Sequence, residues 1–313
     1  MRHFYFFSLL LLLPLPTQAA GIDSTLYVSI GGIEQYISIK GSQAKAPLLL
    51  YLHGGPGQAA SKTVQAVLSV LEQDYRVVHW DQRNSGKTLA KNIDSTTVTL
   101  ARMQSDAEAV FLFLLEQFEQ QKLTLLAHSW GNALGFSLAQ KYPQRIAHYI
   151  AISPDVNPKK SQEVALKRLK SHFQQQNDEK AIAELSQVAI PHKSIYEMVI
   201  QYKWESIYNG EKVTDEMVAQ YMPFFQDWEA KWMPLYQELY ARDLSKEIKA
   251  LDCQVSFFLG QSDYTANSQL AAKYYKKLQA PAKSIYWFDS GHNIFNQAPE
   301  VLQDRLLKCL SEK

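Results

Sequence analysis

Short, continuously apolar segments recur along the chain with stretches of helical spacing between them, and this alternation constrains the fold more than any other feature. Pro47 to Leu52, Tyr75 to Trp80, the run from Leu123 and Ala147 to Ile152 lack the polar alternation of a half-exposed strand. Strands of that kind are buried on both faces, as in a parallel sheet covered by helices above and below. Ser61 to Leu71, Leu100 to Phe118 and the segment ending near Tyr142-Pro143 carry apolar residues at helical spacing. Val255 to Leu259 and Ser284 to Phe288 add two late strands, separated by a helix around Gln269 to Leu278 and followed by an amphipathic helix over Ala298 to Leu310. The pattern predicts an α/β fold with a mostly parallel, doubly wound sheet. A hairpin precedes it, Leu26 to Ile30 and Ile33 to Lys40, turning at Gly31-Gly32 where glycine can supply positive φ at both positions.

The alternation breaks between Asn157 and Lys249, which read as helical throughout and rich in Gln, Lys, Glu, Trp and Tyr. The expected organisation is therefore a core of residues 21–156 and 250–313 carrying an inserted helical cap, 157–249. Residues 1–20 stand apart: Arg2 and His3, an apolar run from Phe4 to Leu13, then Thr17-Gln18-Ala19-Ala20-Gly21. This reads as a secretory signal peptide cleaved near Ala19 or Ala20. The alternative, a membrane anchor, is disfavoured because the run is shorter than the ~20 residues that span a bilayer. The expected mature protein is exported, periplasmic or secreted, with no stable membrane association. A formal net charge of +1 and the absence of charge runs give no footprint for nucleic acid. Cys253 opens a late strand and Cys309 ends the last helix, so an exported chain is expected to join them in a disulfide. Such a bridge would contribute on the order of 4 kcal/mol; the alternative is a pair of buried thiols.

Chemistry centres on Leu125-Leu126-Ala127-His128-Ser129-Trp130-Gly131, an apolar strand turning through a serine into a helix. A turn this sharp leaves little room two residues past the serine, and Gly131 stands there. A serine hydroxyl needs a base within hydrogen-bond reach and a third group to orient that base. The two late strands end in candidates, Gln261-Ser262-Asp263 and Asp289-Ser290-Gly291-His292. All three loops leave the carboxyl ends of predicted parallel strands, where such sheets place their sites. The order Ser129, Asp263, His292 is that of α/β-hydrolases. An oxyanion would need two fixed N–H donors: the backbone of Trp130, and that of Gly55 in His53-Gly54-Gly55-Pro56-Gly57, where a cis Gly55-Pro56 bond is plausible. His53, His79 and His128 read as structural histidines. No His/Cys/carboxylate spacing suggests a metal, and no cofactor is expected.

Leu52-His53-Gly54-Gly55-Pro56-Gly57, Asp81-Gln82-Arg83-Asn84-Ser85-Gly86-Lys87, Ser129-Trp130-Gly131 and Ser290-Gly291-His292 together resemble the prolyl iminopeptidase family of the α/β-hydrolase fold. The likeness covers the core on both sides of the cap. It implies an Asp-Gln-Arg loop supporting the site, with Asp81 and Arg83 open to reading as an internal ion pair. It also implies cap carboxylates that hold the substrate's free α-amine. Glu205, in Lys203-Trp204-Glu205, matches the family's cap; Asp227 and Glu229, flanking Trp228, stand in by approximate position for a second acid. Asn84, Ser85, Gln58 and Ala127-His128 depart from the family's usual glycines and cysteine. The expected function is an exported serine aminopeptidase that removes an N-terminal proline or small apolar residue from short peptides through an acyl-enzyme. The alternative is an esterase, lactonase or amidase for small molecules with the same triad. A non-catalytic binding protein on the same scaffold is the third reading. Oligomeric state is not legible.

Overall fold

The computed structural model describes residues 21–92 and 98–311, so the segment read as a signal peptide lies outside the described residues. Eight strands form one sheet: β1 (Ile22–Ile30), β2 (Ile33–Gly41), β3 (Leu48–Leu52), β4 (Arg76–Trp80), β5 (Leu123–His128), β6 (Ile146–Ile152), β7 (Val255–Gly260) and β8 (Lys283–Phe288). Their spatial order is β1-β2-β4-β3-β5-β6-β7-β8. The hairpin pairs are antiparallel and the pairs from β4 to β8 are parallel. Burial explains the sequence pattern: every residue of β3, β4 and β7 is buried, whereas β1 alternates as an edge strand with one wet face. Gly31 and Gly32 both take positive φ, 60° and 83°, at the hairpin turn.

Helices α1 (Lys62–Leu68), α2 (Gly86–Lys91), α3 (Leu100–Gln117) and α4 (Gly131–Lys141) join the early strands. Between β6 and β7 the chain forms α5 (Pro158–Gln175), α6 (Glu179–Ser186), α7 (Ile195–Tyr208), α8 (Asp215–Tyr240) and the short α9 (Leu244–Glu247). Then come α10 (Ser268–Lys277), α11 (Ile294–Gln297) and α12 (Pro299–Ser311). One apolar layer gathers side chains from α3, α4 and α10, such as Phe111, Leu134 and Tyr274. A second gathers α1 and α12, through Val67, Leu302 and Leu306. The interposed helices have small apolar clusters of their own, one around Phe173 and Trp204, the other around Met198 and Met233.

The expected disulfide is absent. Cys253 packs in the first apolar layer and Cys309 in the second, on opposite sides of the sheet. Both are buried thiols, and Cys309 Sγ lies 3.3 Å from Ser256 Oγ. The sequence places both cysteines at the same end of the sheet; it does not say that the sheet stands between them.

Candidate active site

Ser129 sits at the β5–α4 turn with φ 52°, the left-handed region in which a non-glycine residue is strained. The crowding at the turn is measurable: a Cβ on Gly131 would meet the Leu52 carbonyl oxygen at 2.2 Å. The turn is tied to its neighbour strand, Ser129 N–H donating to Ile152 O (3.0 Å) and Asn132 Nδ2 to the same oxygen (2.9 Å). Tyr149 hydroxyl in turn donates to Asn132 Oδ1 (2.8 Å).

His292 and Asp263 arrive from the ends of β8 and β7, and those two loops are locked together. Ser262 N–H donates to Ser290 O (2.9 Å), and a Cβ on Gly260 would meet Gly291 O at 2.1 Å. His292 Nδ1 lies 2.9 Å from Asp263 Oδ2, and His292 Nε2 lies 2.9 Å from Ser129 Oγ. With the Nδ1 proton held by Asp263, Nε2 is left as acceptor for the serine hydroxyl. Asp263 is buried and its other oxygen accepts from Ala266 N–H (2.9 Å), so it has one orientation. Burial pulls the His292 pKa down, but the charge and hydrogen bond of Asp263, followed by the charges of Glu205 and Asp155, outweigh it, and the net shift is upward.

The loop after β3 lies against the serine. Gly55 has φ 122°, precedes a cis bond to Pro56, and borders with Trp130 the space in front of Ser129. Gln82 fastens this loop to the serine turn: its Nε2 donates to His53 O (3.0 Å) and its Oε1 accepts from Trp130 Nε1 (2.8 Å). Arg83 pairs with Asp106 (2.8 Å) and donates to Gly31 O (2.8 Å). Asp81 instead accepts from Lys87 N–H (2.8 Å), so both brace the loop without forming the mutual pair that the sequence suggested. Burial pushes the pKa values of His53, His79 and His128 down to about 4, 4 and 3, which keeps them neutral; His53 Nε2 accepts from Gln82 N–H (3.1 Å), and His128 borders the space in front of Ser129.

Two spaces meet at Ser129. The inner one, about 70 Å³, is walled by Asp155, Gln162, Tyr202, Tyr236 and Tyr240. The outer one, about 310 Å³, is walled mainly by Met198, Val199, Phe224, Phe225 and Trp228 from α7 and α8. Trp228 also reaches the glycine-proline loop, donating to Pro56 O (3.1 Å).

Of the three expected amine-binding acids, only Glu205 comes near the site, bordering neither space itself but lying directly behind Thr265. Its Oε1 accepts from Thr265 Oγ1 (2.8 Å), a residue that borders both spaces. Its Oε2 is buried with no hydrogen-bond partner among the described residues, and burial raises its pKa. Asp227 points to solvent, its side chain 67% exposed and paired with Lys231 one turn on (2.8 Å). Glu229 accepts from Ile195 N–H (2.8 Å), satisfying a first-turn donor of α7, and borders a different cleft beside His192. Each therefore serves its own helices. Asp155, in Ser153-Pro154-Asp155 after β6, was missed; the signal available was its place just past a core strand, the same place that marks Ser129, Asp263 and His292. It accepts from Ser161 Oγ (2.7 Å), and burial first, with the Asp263 charge adding to it, pushes its pKa up to about 7. Among the described residues no cluster of His, Cys, Asp or Glu could hold a metal ion.

A profile of the alpha/beta hydrolase fold family matches residues 47–299. The chain is 28% identical to "Probable aminopeptidase YbaC" of Bacillus subtilis over 89% of its own length and 93% of that protein. It is 30% identical to a proline iminopeptidase of Lactobacillus helveticus over 39% of this chain and 40% of that one. The crystal structure of a proline iminopeptidase from Mycobacterium smegmatis superposes with a TM-score of 0.65 at 17% identity, covering 92% of this chain and 97% of that one. With the serine turn, the histidine and the buried aspartate in hydrogen-bonded sequence, the chain belongs to the α/β hydrolase fold family and is a hydrolase of the prolyl iminopeptidase-like kind.

Proposed function

We propose that the protein is an exported serine aminopeptidase that releases an N-terminal proline or small apolar residue from short peptides. Ser129 Oγ attacks the first carbonyl carbon while its proton passes to His292 Nε2, and Asp263 stabilises the imidazolium that forms. Negative charge develops on the carbonyl oxygen beside the N–H groups of Gly55 and Trp130. His292 then gives its proton to the leaving amine, and the acyl-enzyme remains. A water repeats the sequence, losing its proton to His292 and freeing the residue.

The observation that carries this reading is a surplus of carboxyl groups around one imidazole. Asp263, Glu205 and Asp155 all act on His292, and Glu205 keeps an unused, buried oxygen. The positive charges that act on Glu205 are those of His292 and, after it, Arg168, whose guanidinium lies over the rings of Tyr208 and Tyr264. A substrate ammonium supplies both the missing charge and the missing donor, and charge-assisted hydrogen bonds of that kind are the strong ones. The narrow inner space suits a small first residue. Export rests on the leader-like sequence of residues 1–20.

A second reading, hydrolysis of small esters, draws support from the apolar outer space, which an acyl chain could fill. One panel separates the two: prolyl and alanyl naphthylamides, their N-acetyl derivatives, and p-nitrophenyl acetate and butyrate, with Ser129→Ala as control. Cleavage of the free-amine substrates that disappears on acetylation is the expected result. Ester cleavage alone, lost in Ser129→Ala, would overturn the aminopeptidase. Fractionation of expressing cells, with the N-terminus of the product read by mass spectrometry, tests export.

A further inference from the structure

The outer space has no role in holding the amine, yet it opens directly on Ser129 and His292. Among the described residues no Asp, Glu, Lys or Arg borders it. It continues outward: Val199, Tyr202 and Phe225 also border a groove of about 170 Å³ that ends at Met217 and Tyr221 on α8. Met217, Tyr221 and Phe224 are spaced four and three residues apart, so they share one face of that helix. They are 42%, 56% and 53% exposed. Large apolar side chains left contiguous and wet mark a surface meant to be covered. The charged residue bordering the groove, Lys203, is engaged by Glu184 (2.6 Å) and Asp215 (2.8 Å), so it offers little to an acidic ligand.

Resting on the reading above, we infer that this chamber and groove are the subsite for the residues that follow the scissile bond, and that they select bulky apolar side chains there. The direction follows from the anchor. With the ammonium beside Asp155 and Glu205 and the carbonyl at Ser129, the first residue fills the inner space. The remaining chain has to leave through the outer one. His292 borders both spaces, so it can protonate a leaving amine that faces the apolar chamber. The site thus recognises the first residue by charge and small size, and the second and third by apolar area. The substrate class is short peptides with a hydrophobic residue after the N-terminal one.

The test uses dipeptide amides Pro-X and Ala-X, with X as Gly, Asp, Lys, Leu or Phe, and follows the free first residue by chromatography. We expect kcat/KM for Leu and Phe to exceed Gly by about tenfold to a hundredfold, as apolar pockets discriminate, with Asp lowest. In Phe224→Glu the Phe-to-Gly ratio should fall by about tenfold and Lys should gain on Leu. Ratios taken within one preparation are unaffected by loss of folded enzyme. A series flat to within about threefold overturns the subsite while leaving the aminopeptidase standing. An unchanged ratio in Phe224→Glu overturns it likewise. No release from any peptide or naphthylamide overturns the aminopeptidase, and the subsite falls with it.

Discussion

The sheet and the helices interposed after β6 hold their polar groups by different means. Ser129 and Asp263 sit just past β5 and β7, on loops tied to the next strand by backbone hydrogen bonds, and His292 follows the edge strand β8 on a loop tied to that of Asp263. Their geometry follows from the register of the sheet. The acids of α7 and α8 have no such frame, and helix packing decides each one separately: Glu205 turns inward to Thr265, Glu229 caps a neighbouring helix and Asp227 faces water. The reacting groups, and Asp155 with them, thus lie where topology alone can put them, whereas the acids of the interposed helices lie where packing must decide.

The largest effect expected is on the sheet side. Ser129→Ala should lower turnover of every substrate on the order of 10⁴-fold or more, with the thermal midpoint little changed. A residual rate on esters but not on aminoacyl substrates would break the idea of one shared nucleophile.

Asp155→Asn sharpens the contrast next. It should cut kcat/KM for alanyl and prolyl naphthylamides roughly a hundredfold, as removing one partner of a desolvated charge pair does. p-Nitrophenyl acetate should stay within about threefold. Equal losses on both substrates would place Asp155 in support of His292 instead of the amine.

The pH profile separates the same two roles. Activity needs neutral His292, whose pKa lies above the ordinary histidine value, so all substrates should lose rate as pH falls through that pKa. On the proposed role of Asp155, aminoacyl substrates need it ionised as well, and its carboxyl takes up a proton as pH falls through about 7. Their acid limb should therefore be steeper than that of an ester, and it should become ester-like in Asp155→Asn.

Smaller effects are expected among the helical acids that the sequence suggested. Glu229→Ala should cost about 1 kcal/mol in urea unfolding, the worth of a helix-capping contact, and Asp227→Asn nothing measurable, with kcat/KM unchanged in both. Smallest of all, reductant should leave the thermal midpoint where it is. Denatured, unreduced protein should titrate as two thiols, matching buried Cys253 and Cys309.

Sequence alone determined the parallel sheet, the serine turn, the order Ser129, Asp263, His292 and the glycine-proline loop. Those features are local in cause: continuous apolar runs, glycines where backbone approaches backbone, and reactive residues just past strand ends. Even there one long-range relation escaped, since Cys253 and Cys309 share an end of the sheet but pack on opposite faces. Only the tertiary structure decided which acids lie beside the serine. Asp155 stands on the sheet side, where no cap residue would be sought, and it borders the same small space as Tyr202, Tyr236 and Tyr240. Likewise Phe224 and Trp228 line the outer chamber because α8 lies across the mouth of the site. Which face of a helix turns inward depends on contacts with residues far away in the chain, and a local pattern of charges and aromatics does not encode that.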